Sequence, residues 1–317
     1  MKAMVITGFG GAEVFEEREL PKPEPGIGEL LVKIHAAAIN PVDFKIRMNG
    51  TWAGVTPPAI IGYDASGVVE KCGPGVKDFK PGDEVFYTPL IEKGHGTYAE
   101  YAVVHEDITA LKPKNMSFAQ AAGVPLAGCT ALDAIVNLAK VKPGETVLIH
   151  AGAGGVGSYA LQLAKISGAI VATTCSPKNV DLVRSLGADI AIDYRKEDFA
   201  KAFFRETGGE LADVVFDTAG GDTTARSIEI TKKFGRIVSI VSISGNINPG
   251  HRKNIVLYLL FMERAKHKIE MMRTLAEEGK ITTIVDSVFP LNQVAEAHRK
   301  IEKGGVRGKI ILQVIND

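Results

Sequence analysis

Residues 146–157 read Thr-Val-Leu-Ile-His-Ala-Gly-Ala-Gly-Gly-Val-Gly. Thr146 to Ala151 is a short apolar run rich in β-branched residues, the pattern of a buried strand. Gly152-Ala153-Gly154-Gly155-Val156-Gly157 then fits G-x-G-x-x-G, and Tyr159, Leu161, Leu163, Ala164 and Ile166 follow with helical spacing. In such a turn Gly152 permits the tight bend, Gly154 lets backbone approach a pyrophosphate, and Gly157 lets the helix pack close to the strand. Free N–H groups at the positive end of the helix would then meet phosphate oxygens. With 34 glycines in the chain the spacing alone is weak. Its seat between a strand and a helix makes it a dinucleotide-binding signature.

Outward from this turn, strands and helices alternate. Strands are predicted at 146–151, 170–174, 190–192, 214–217 and 236–241, and helices at 155–167, 179–186, 199–207, 223–232 and 263–278. That rhythm predicts an α/β, doubly wound parallel sheet covered on both faces, a Rossmann domain over residues 121–285. Helices at 118–124 and 130–138 lead into it. Residues 1–120 are β-rich, with strands predicted at 4–7, 29–38, 60–69, 84–88 and 99–104. Pro21-Lys22-Pro23-Glu24-Pro25-Gly26, Gly73-Pro74-Gly75 and Pro81-Gly82-Asp83 punctuate them. This spacing, without a long helical pattern, predicts a partly closed barrel. Residues 286–317, with a helix at 291–302 and a strand at 309–314, are expected to return to that first domain. No internal repeat is present.

The 317 residues carry 37 Lys+Arg against 37 Asp+Glu, so there is no electrostatic footprint for nucleic acid or an anionic membrane. The N-terminus runs directly into a strand pattern and lacks a signal peptide's apolar region. The most apolar run, 255–262, is far short of the ~20 residues that span a bilayer. Cys72, Cys129 and Cys175 are widely separated and in no C-x-x-C pair, which points to a reducing, cytoplasmic compartment. His35, His95, His105, His150, His251, His267 and His298 show no metal-ligand spacing. There is no H-E-x-x-H, no G-x-S-x-G and no G-x-x-x-x-G-K-[ST]. His150 reads as a packed histidine and Cys129 as a small buried hydrophobe.

The second strand of the dinucleotide fold indicates which nucleotide is bound. In the NAD version an acidic residue ends that strand and binds the ribose 2′-OH. Here it ends Thr173-Thr174-Cys175-Ser176-Pro177-Lys178-Asn179, with no carboxylate before Asp181. Ser176 can donate to a 2′-phosphate and Lys178 can neutralise it, with Tyr194 and Arg195 as further candidates. NADPH is therefore expected over NADH; the alternative leaves Lys178 and Arg195 as solvated surface charges.

Several further motifs occur in one order: Asn40-Pro41-Val42-Asp43, Gly62-Tyr63-Asp64-Ala65-Ser66-Gly67-Val68-Val69, Pro81-Gly82-Asp83-Glu84-Val85, Gly96-Thr97-Tyr98-Ala99-Glu100-Tyr101 and the glycine turn. With them the chain resembles the medium-chain dehydrogenase/reductase superfamily over nearly its whole length. The resemblance implies a GroES-like catalytic domain plus the Rossmann domain. Zinc-dependent alcohol dehydrogenases of that superfamily carry Cys in the Asn40–Asp43 stretch, Gly-His-Glu in place of Gly62-Tyr63-Asp64, and often a four-cysteine lobe after the Gly-x-Gly-Asp turn. Without thiolate or imidazole at these places zinc has no set of ligands. The chain is thus similar to the zinc-free quinone oxidoreductase branch, which includes NADPH-dependent 2-enone (alkenal) reductases, and Asn40-Pro41-Val42-Asp43-Phe44-Lys45 matches the enone-reductase pattern.

The resemblance implies hydride transfer from NADPH to a small apolar quinone or to the β-carbon of an α,β-unsaturated carbonyl, without metal. Lys45 would hold the nicotinamide ribose or position substrate. Asn40, Asp43 and Tyr63 would surround the vacant metal position. Tyr63 would either donate to an enolate oxygen or pack with its hydroxyl on backbone. Asp43 and Asp64 would orient Lys45 or backbone amides. Thr130 would face the nicotinamide, and Gly155 and Val156 would touch the pyrophosphate. Ser176, Lys178, Asn179 and Tyr194 would take the adenosine phosphate end, and Ser242, Ile243, Ser244, Arg307 and Gly308 the nicotinamide end. Trp52, in a glycine-flanked loop at 49–56, reads as either a lid or a core anchor. The run 255–262, with Leu257 and Phe261, would be buried in the substrate cleft or at a subunit contact. The strand 236–241 would lie at a sheet edge where the superfamily often dimerises, so a homodimer is expected. Alternatives are a zinc-free enoyl-thioester reductase, a non-catalytic NADPH-binding protein of the crystallin kind, and, third, a zinc alcohol dehydrogenase.

Overall fold

A computed structural model describes residues 1–93 and 96–315, so His95 lies outside the described residues. The chain divides into two compact units, Met1–Cys129 with Glu263–Asp317, and Thr130–Met262. The nucleotide-type unit is thus shorter at both ends than the expected 121–285. At its C-terminal side the reason is polar. The helix Lys266–Glu277 is held within the first unit, where Asn115 Nδ2 donates to Ala276 O at 2.7 Å and, just before the helix, Arg264 Nε donates to Pro89 O at 2.7 Å.

The first unit is built on the strand Glu29–Ile39. It pairs with Ala65–Cys72 along one side, and with Tyr101–His105 and then Lys309–Gln313 along the other. Register shifts between Leu31 and Val32 and between Ile34 and Ala36 bend it, so its two halves join different partners, as in a partly closed barrel. The inner face buries Leu30, Val32, Ile34, Val69, Val85 and Val104. A Cβ on Gly67 would lie 2.1 Å from Lys33 O, so the sheet can close there only on a glycine. The C-terminal return is as expected: Ile310 stands opposite Ile39, antiparallel.

The single strand predicted at 60–69 is in fact two, Ala59–Ile60 and Ala65–Cys72. Gly62 breaks it, with φ at 106° and a would-be Cβ 2.5 Å from the Tyr98 ring. That break carries Tyr63 and Asp64 out of the ladder and into the interior.

The second unit is a six-stranded, wholly parallel sheet. Its order is Ile190–Asp193, Ile170–Cys175, Thr146–Ile149, Ala212–Asp217, Thr231–Ser239 and Val256–Leu259. The strand order reverses between Thr146–Ile149 and Ala212–Asp217, the switch point where ligands of such sheets bind.

Two expectations are corrected here. Val256–Leu259 is a sixth strand, with Arg236 opposite Val256 and Ser239 opposite Leu259. The 236–241 segment is therefore interior, and the edge belongs to the apolar run that was expected in the substrate cleft or at a subunit contact. Leu259 is 73% exposed and Phe261 68%. An apolar run of this length does not distinguish a buried segment from an edge strand by periodicity. The helix predicted at 223–232 stops at Ser227, and Thr231 already begins a strand. The Lys253 ammonium donates to the carbonyls of Ile228, Glu229 and Thr231 at 2.7–2.9 Å, satisfying backbone that a longer helix would have used itself. No helix among the described residues is long and apolar enough to cross a membrane.

Candidate active site

In the second unit the predicted strand ends at Ile149, and the chain turns through Ala151 at φ 55° into the glycines. A Cβ on Gly152 would lie 2.2 Å from Thr173 Oγ1, and one on Gly157 would lie 2.4 Å from Ala151 O. These two glycines allow close packing. Gly154 differs: its would-be Cβ meets only Ala151 O, at 3.3 Å. It is the N-cap of the helix Gly155–Ile166, whose first turn receives no side-chain cap. The first N–H groups of that helix are thus left for an anion, which is the fit a pyrophosphate requires.

The neighbouring strand steadies the turn, a role the sequence reading missed. Thr174 Oγ1 accepts from Ala151 N at 3.0 Å and Thr173 Oγ1 from Gly152 N at 3.1 Å. Beside the turn, at the C-terminal ends of the strands, is a pocket of about 280 Å³ whose lining includes His150, Thr174, Tyr194, Phe199 and Arg226. Of the predicted adenosine-end residues it is lined by Tyr194. Cys175 pairs with Asp193, so Ser176 and Tyr194 leave adjacent strands side by side. Ser176 and Asn179 are buried, and Asn179 Oδ1 is a buried acceptor with no partner among the described residues. Lys178 is exposed. His150 is packed, 3.0 Å from Ser227 Oγ and edge-on to Phe199, and burial pushes its pKa down to about 4.

The other second-unit candidates are dispersed. Thr130 is buried. Ser242, Ile243 and Ser244 follow the fifth strand, where Ser244 N donates to Gly221 O at 2.8 Å. Leu257 lines a separate hollow of about 430 Å³, of mixed character, with Ile228, Ile237, Asn248 and His251.

The first unit brings Asn40, Asp43 and Asp64 into one buried cluster. Asn40 caps the helix Pro41–Asn49, and its backbone N–H donates to Asp43 Oδ2 at 2.8 Å. Its side-chain Nδ2 donates to Asp64 Oδ2 at 2.8 Å, and its Oδ1 accepts from the Lys309 ammonium. Lys309 also pairs with Asp64 at 3.4 Å, while Leu126 N donates to Asp64 Oδ1 at 2.8 Å. Burial pushes Asp64 up to about 6 against the pull of Lys309, and burial pushes Asp43 up to about 7 against the hydrogen bond from Tyr98. Tyr63 is buried beside them, its phenol raised by burial and by the Asp43 charge.

Lys45 is exposed on the same helix and belongs to none of these contacts. The lysine that Asp64 holds is Lys309, and Asp43 holds a backbone amide and Tyr98. Lys309 and His298 were missed because no local pattern marks them, and Tyr98, although inside the Gly96–Tyr101 motif, was given no role there. Arg307 N donates to Asp286 Oδ1 at 2.9 Å, and Gly308 is required by its neighbours, since a Cβ there would lie 2.1 Å from Ile284 O. Trp52 is 55% exposed, which rules out the core-anchor reading. Among the described residues no three His, Cys, Asp or Glu side chains are grouped to hold a metal.

Residues 26–114 match the alcohol dehydrogenase GroES-like domain family, and residues 186–312 match the family described as zinc-binding dehydrogenase. The chain is 39% identical over 327 aligned residues to the chloroplastic NADPH-dependent alkenal/one oxidoreductase of Arabidopsis thaliana, covering 99% of this chain and 80% of that one. It belongs to the medium-chain dehydrogenase/reductase family. Within that family its likeness is to the branch of quinone oxidoreductases and alkenal reductases. The solved quinone oxidoreductase of Coxiella burnetii superposes with a TM-score of 0.92 at 36% identity, over 99% of both chains. That of Escherichia coli, complexed with NADPH, does so with a TM-score of 0.89 at 28% identity, over 99% of this chain and 100% of the other. The family match agrees with the α/β fold and GroES-like domain read from the sequence motifs.

Proposed function

We propose that this medium-chain dehydrogenase/reductase is an NADPH-dependent oxidoreductase that reduces quinones and α,β-unsaturated carbonyls without a metal. The observation that carries the reading is the state of Asn40. Zinc enzymes of the family carry a cysteine in the stretch this chain fills with Asn40–Asp43, and Asn40 is an amide whose oxygen and nitrogen are both committed, to Lys309 and to Asp64. Tyr63 stands where those enzymes present a histidine. Neither side chain is a donor that zinc prefers.

Gly154, Gly155 and Val156 would hold the pyrophosphate, and Ser176, Lys178, Asn179 and Tyr194 the phosphorylated adenosine. Thr130 and the 242–244 segment would take the nicotinamide end. The bound nucleotide supplies the hydride. What the chain must add is orientation, and hydrogen bonding to the oxygen on which charge develops. Tyr63 is the donor we assign to that oxygen, because burial and Asp43 keep its phenol protonated throughout the working pH range. Trp52, exposed on its turn, would cover an apolar substrate.

The test is nucleotide oxidation by the purified chain across a panel of quinones, enals, enones and alcohols. We expect consumption of NADPH well ahead of NADH, with quinones and enones, unchanged by chelators. Alcohol oxidation that needs added zinc would overturn the proposal.

We further propose a homodimer joined through the edge strand Val256–Leu259, supported by the exposure of Leu259 and Phe261 beside an unpaired ladder. Light scattering that finds only monomer at every working concentration would refute it. The compartment we propose is the cytoplasm, supported by the wide spacing of Cys72, Cys129 and Cys175, none of them in a C-x-x-C pair. The Arabidopsis relative is chloroplastic.

A further inference from the structure

The helix Pro41–Asn49 and the C-terminal helix Val294–Lys303 are joined by a line of buried polar atoms. It begins at Arg47, which is 0% exposed. The guanidinium pairs with the partly exposed Glu302 at 2.8 Å and donates through Nε to Gly10 O at 3.1 Å. Its Nη1 lies 3.2 Å from His298 Nδ1. A guanidinium can only donate, so His298 Nδ1 is the accepting nitrogen. Burial, then the Arg47 charge, pushes His298 down to about 3, so the ring is neutral and its one hydrogen sits on Nε2.

That Nε2 is 3.2 Å from Tyr98 Oη and donates to it. The phenol's own hydrogen is then directed to Asp43 Oδ2, at 2.6 Å. Every bond points the same way, from Arg47 through His298 and Tyr98 to Asp43. Asp43 Oδ2 accepts a second time, from Asn40 N. Asp43 Oδ1 is buried with no partner among the described residues. One oxygen of this carboxylate therefore holds two donors and the other holds none.

We propose that His298 and Tyr98 are positioning residues of the reduction, acting through Asp43. They commit Oδ2 to the protein, so that any proton or ligand donor Asp43 takes up sits on Oδ1. The inference rests on the reading that places Asp43 in the reaction site. The other groups facing Asp43 are Asn40 from the cap, Tyr63 and Asp64 from the break at Gly62, Lys309 from the last strand and Arg264 ahead of the Lys266–Glu277 helix. Lys309 lowers its proton affinity and Asp64 raises it. Neither distinguishes the two oxygens by a hydrogen bond; Tyr98 and Asn40 do.

The experiment uses the full chain with Tyr98→Phe, His298→Leu and His298→Gln, the last keeping an N–H for Tyr98. Two measurements are made. One is the pH profile of kcat/KM with NADPH and an enone. The other is a carboxyl-carbon NMR titration of Asp43, which needs no turnover. Tyr98→Phe removes a donor to the carboxylate and should move the Asp43 midpoint up by about 1 pH unit in both measurements. His298→Leu should move it the same way by less, since it only weakens the Tyr98 bond, and His298→Gln should leave it unchanged. Variants that lower kcat/KM equally at every pH, with the NMR midpoint unmoved, would show a merely structural role and overturn the inference. If the wild-type chain reduces no enone or quinone, the proposed function falls, and the NMR arm alone decides whether the chain from Arg47 controls Asp43.

Discussion

The turn at 151–157 draws what it needs from adjacent residues and from one neighbouring strand, its supporting hydroxyls lying 21 and 23 positions away. The cluster around Asp43 and Asp64 is assembled from far apart, with Lys309 lying 269 positions from Asn40 and 245 from Asp64. The difference is one of how specificity is encoded. A backbone cradle is written in glycines, whose absence of a side chain is itself the signal. A buried polar cluster is written in ordinary residues that acquire meaning only once the barrel has closed. The first should fail locally and the second globally.

The largest expected effect lies in the cluster. Lys309→Met leaves the fully buried Asp64 without its ammonium and should cost about 3–5 kcal/mol in chemical denaturation. Adding Asp64→Asn should recover most of that loss, because no uncompensated charge then remains. A neutral Lys309→Met would break the comparison, showing the cluster to be decoration on a barrel that closes without it. Next is Gly157→Ala. The clash there is with backbone, Ala151 O at 2.4 Å, so no side chain can swing aside. Strain of about 1–3 kcal/mol is expected. A loss of NADPH affinity of roughly tenfold or more should accompany it, since about 1.4 kcal/mol of distortion at the phosphate cradle is already a factor of ten. Hydrogen exchange in the barrel strands should be unaltered. Equal loss of protection in both units would contradict a local failure.

The same contrast explains what could be read from the chain. The glycine turn, the alternation of strands and helices after it, and the return of the last strand to the barrel all rest on short-range patterns, and all are present. Asn40 and Asp43 could be named because they sit inside a motif, and Ser176 and Tyr194 because they follow predicted strands. His298 and Lys309 could not, because a histidine and a lysine in C-terminal segments look like any others until the fold brings them close, and the motif that holds Tyr98 does not say that its hydroxyl reaches Asp43. The edge strand Val256–Leu259 escaped for a different reason. Its apolar residues satisfy the pattern of a buried segment, and only the position of the sheet's last strand shows that half of them face outward. The early end of the helix at Ser227 depends on Lys253, a side chain more than 20 residues ahead, taking its carbonyls.

A pH experiment sharpens the comparison within the cluster. Asp43 is raised to about 7 in the folded chain, so it binds more protons folded than unfolded. Its contribution to stability is full below the ordinary carboxylate pKa and is lost as pH rises to about 7. His298 and His150 act in the opposite sense: held at about 3 and about 4, they remove stability as pH falls below about 6.5. The two effects oppose each other from about pH 4 to about 7.5, with Asp64, held at about 6, adding a smaller loss on the side of Asp43. From about pH 6.5 to 7.5 the urea midpoint of the wild type should therefore stay nearly level, and that of Asp43→Asn should rise, because the gain from the unfolded histidines losing their protons is then less opposed. A wild type that rises there as steeply as Asp43→Asn would mean Asp43 is ionised at lower pH than its burial implies.

The smallest effect belongs to the local region and tests which nucleotide it is built for. Ser176 follows the second strand where an NAD-binding chain would present a carboxylate, and it is buried next to the point where Tyr194 leaves the adjacent strand. Ser176→Ala removes one donor to a 2′-phosphate and touches nothing that the 2′-hydroxyl of NADH would need. The loss should be about 1 kcal/mol, roughly a fivefold rise in KM for NADPH, with KM for NADH unchanged. An equal rise for both nucleotides would mean that the hydroxyl serves the turn and not the phosphate. The preference for NADPH would then have to come from the charge of Lys178 and the ring of Tyr194.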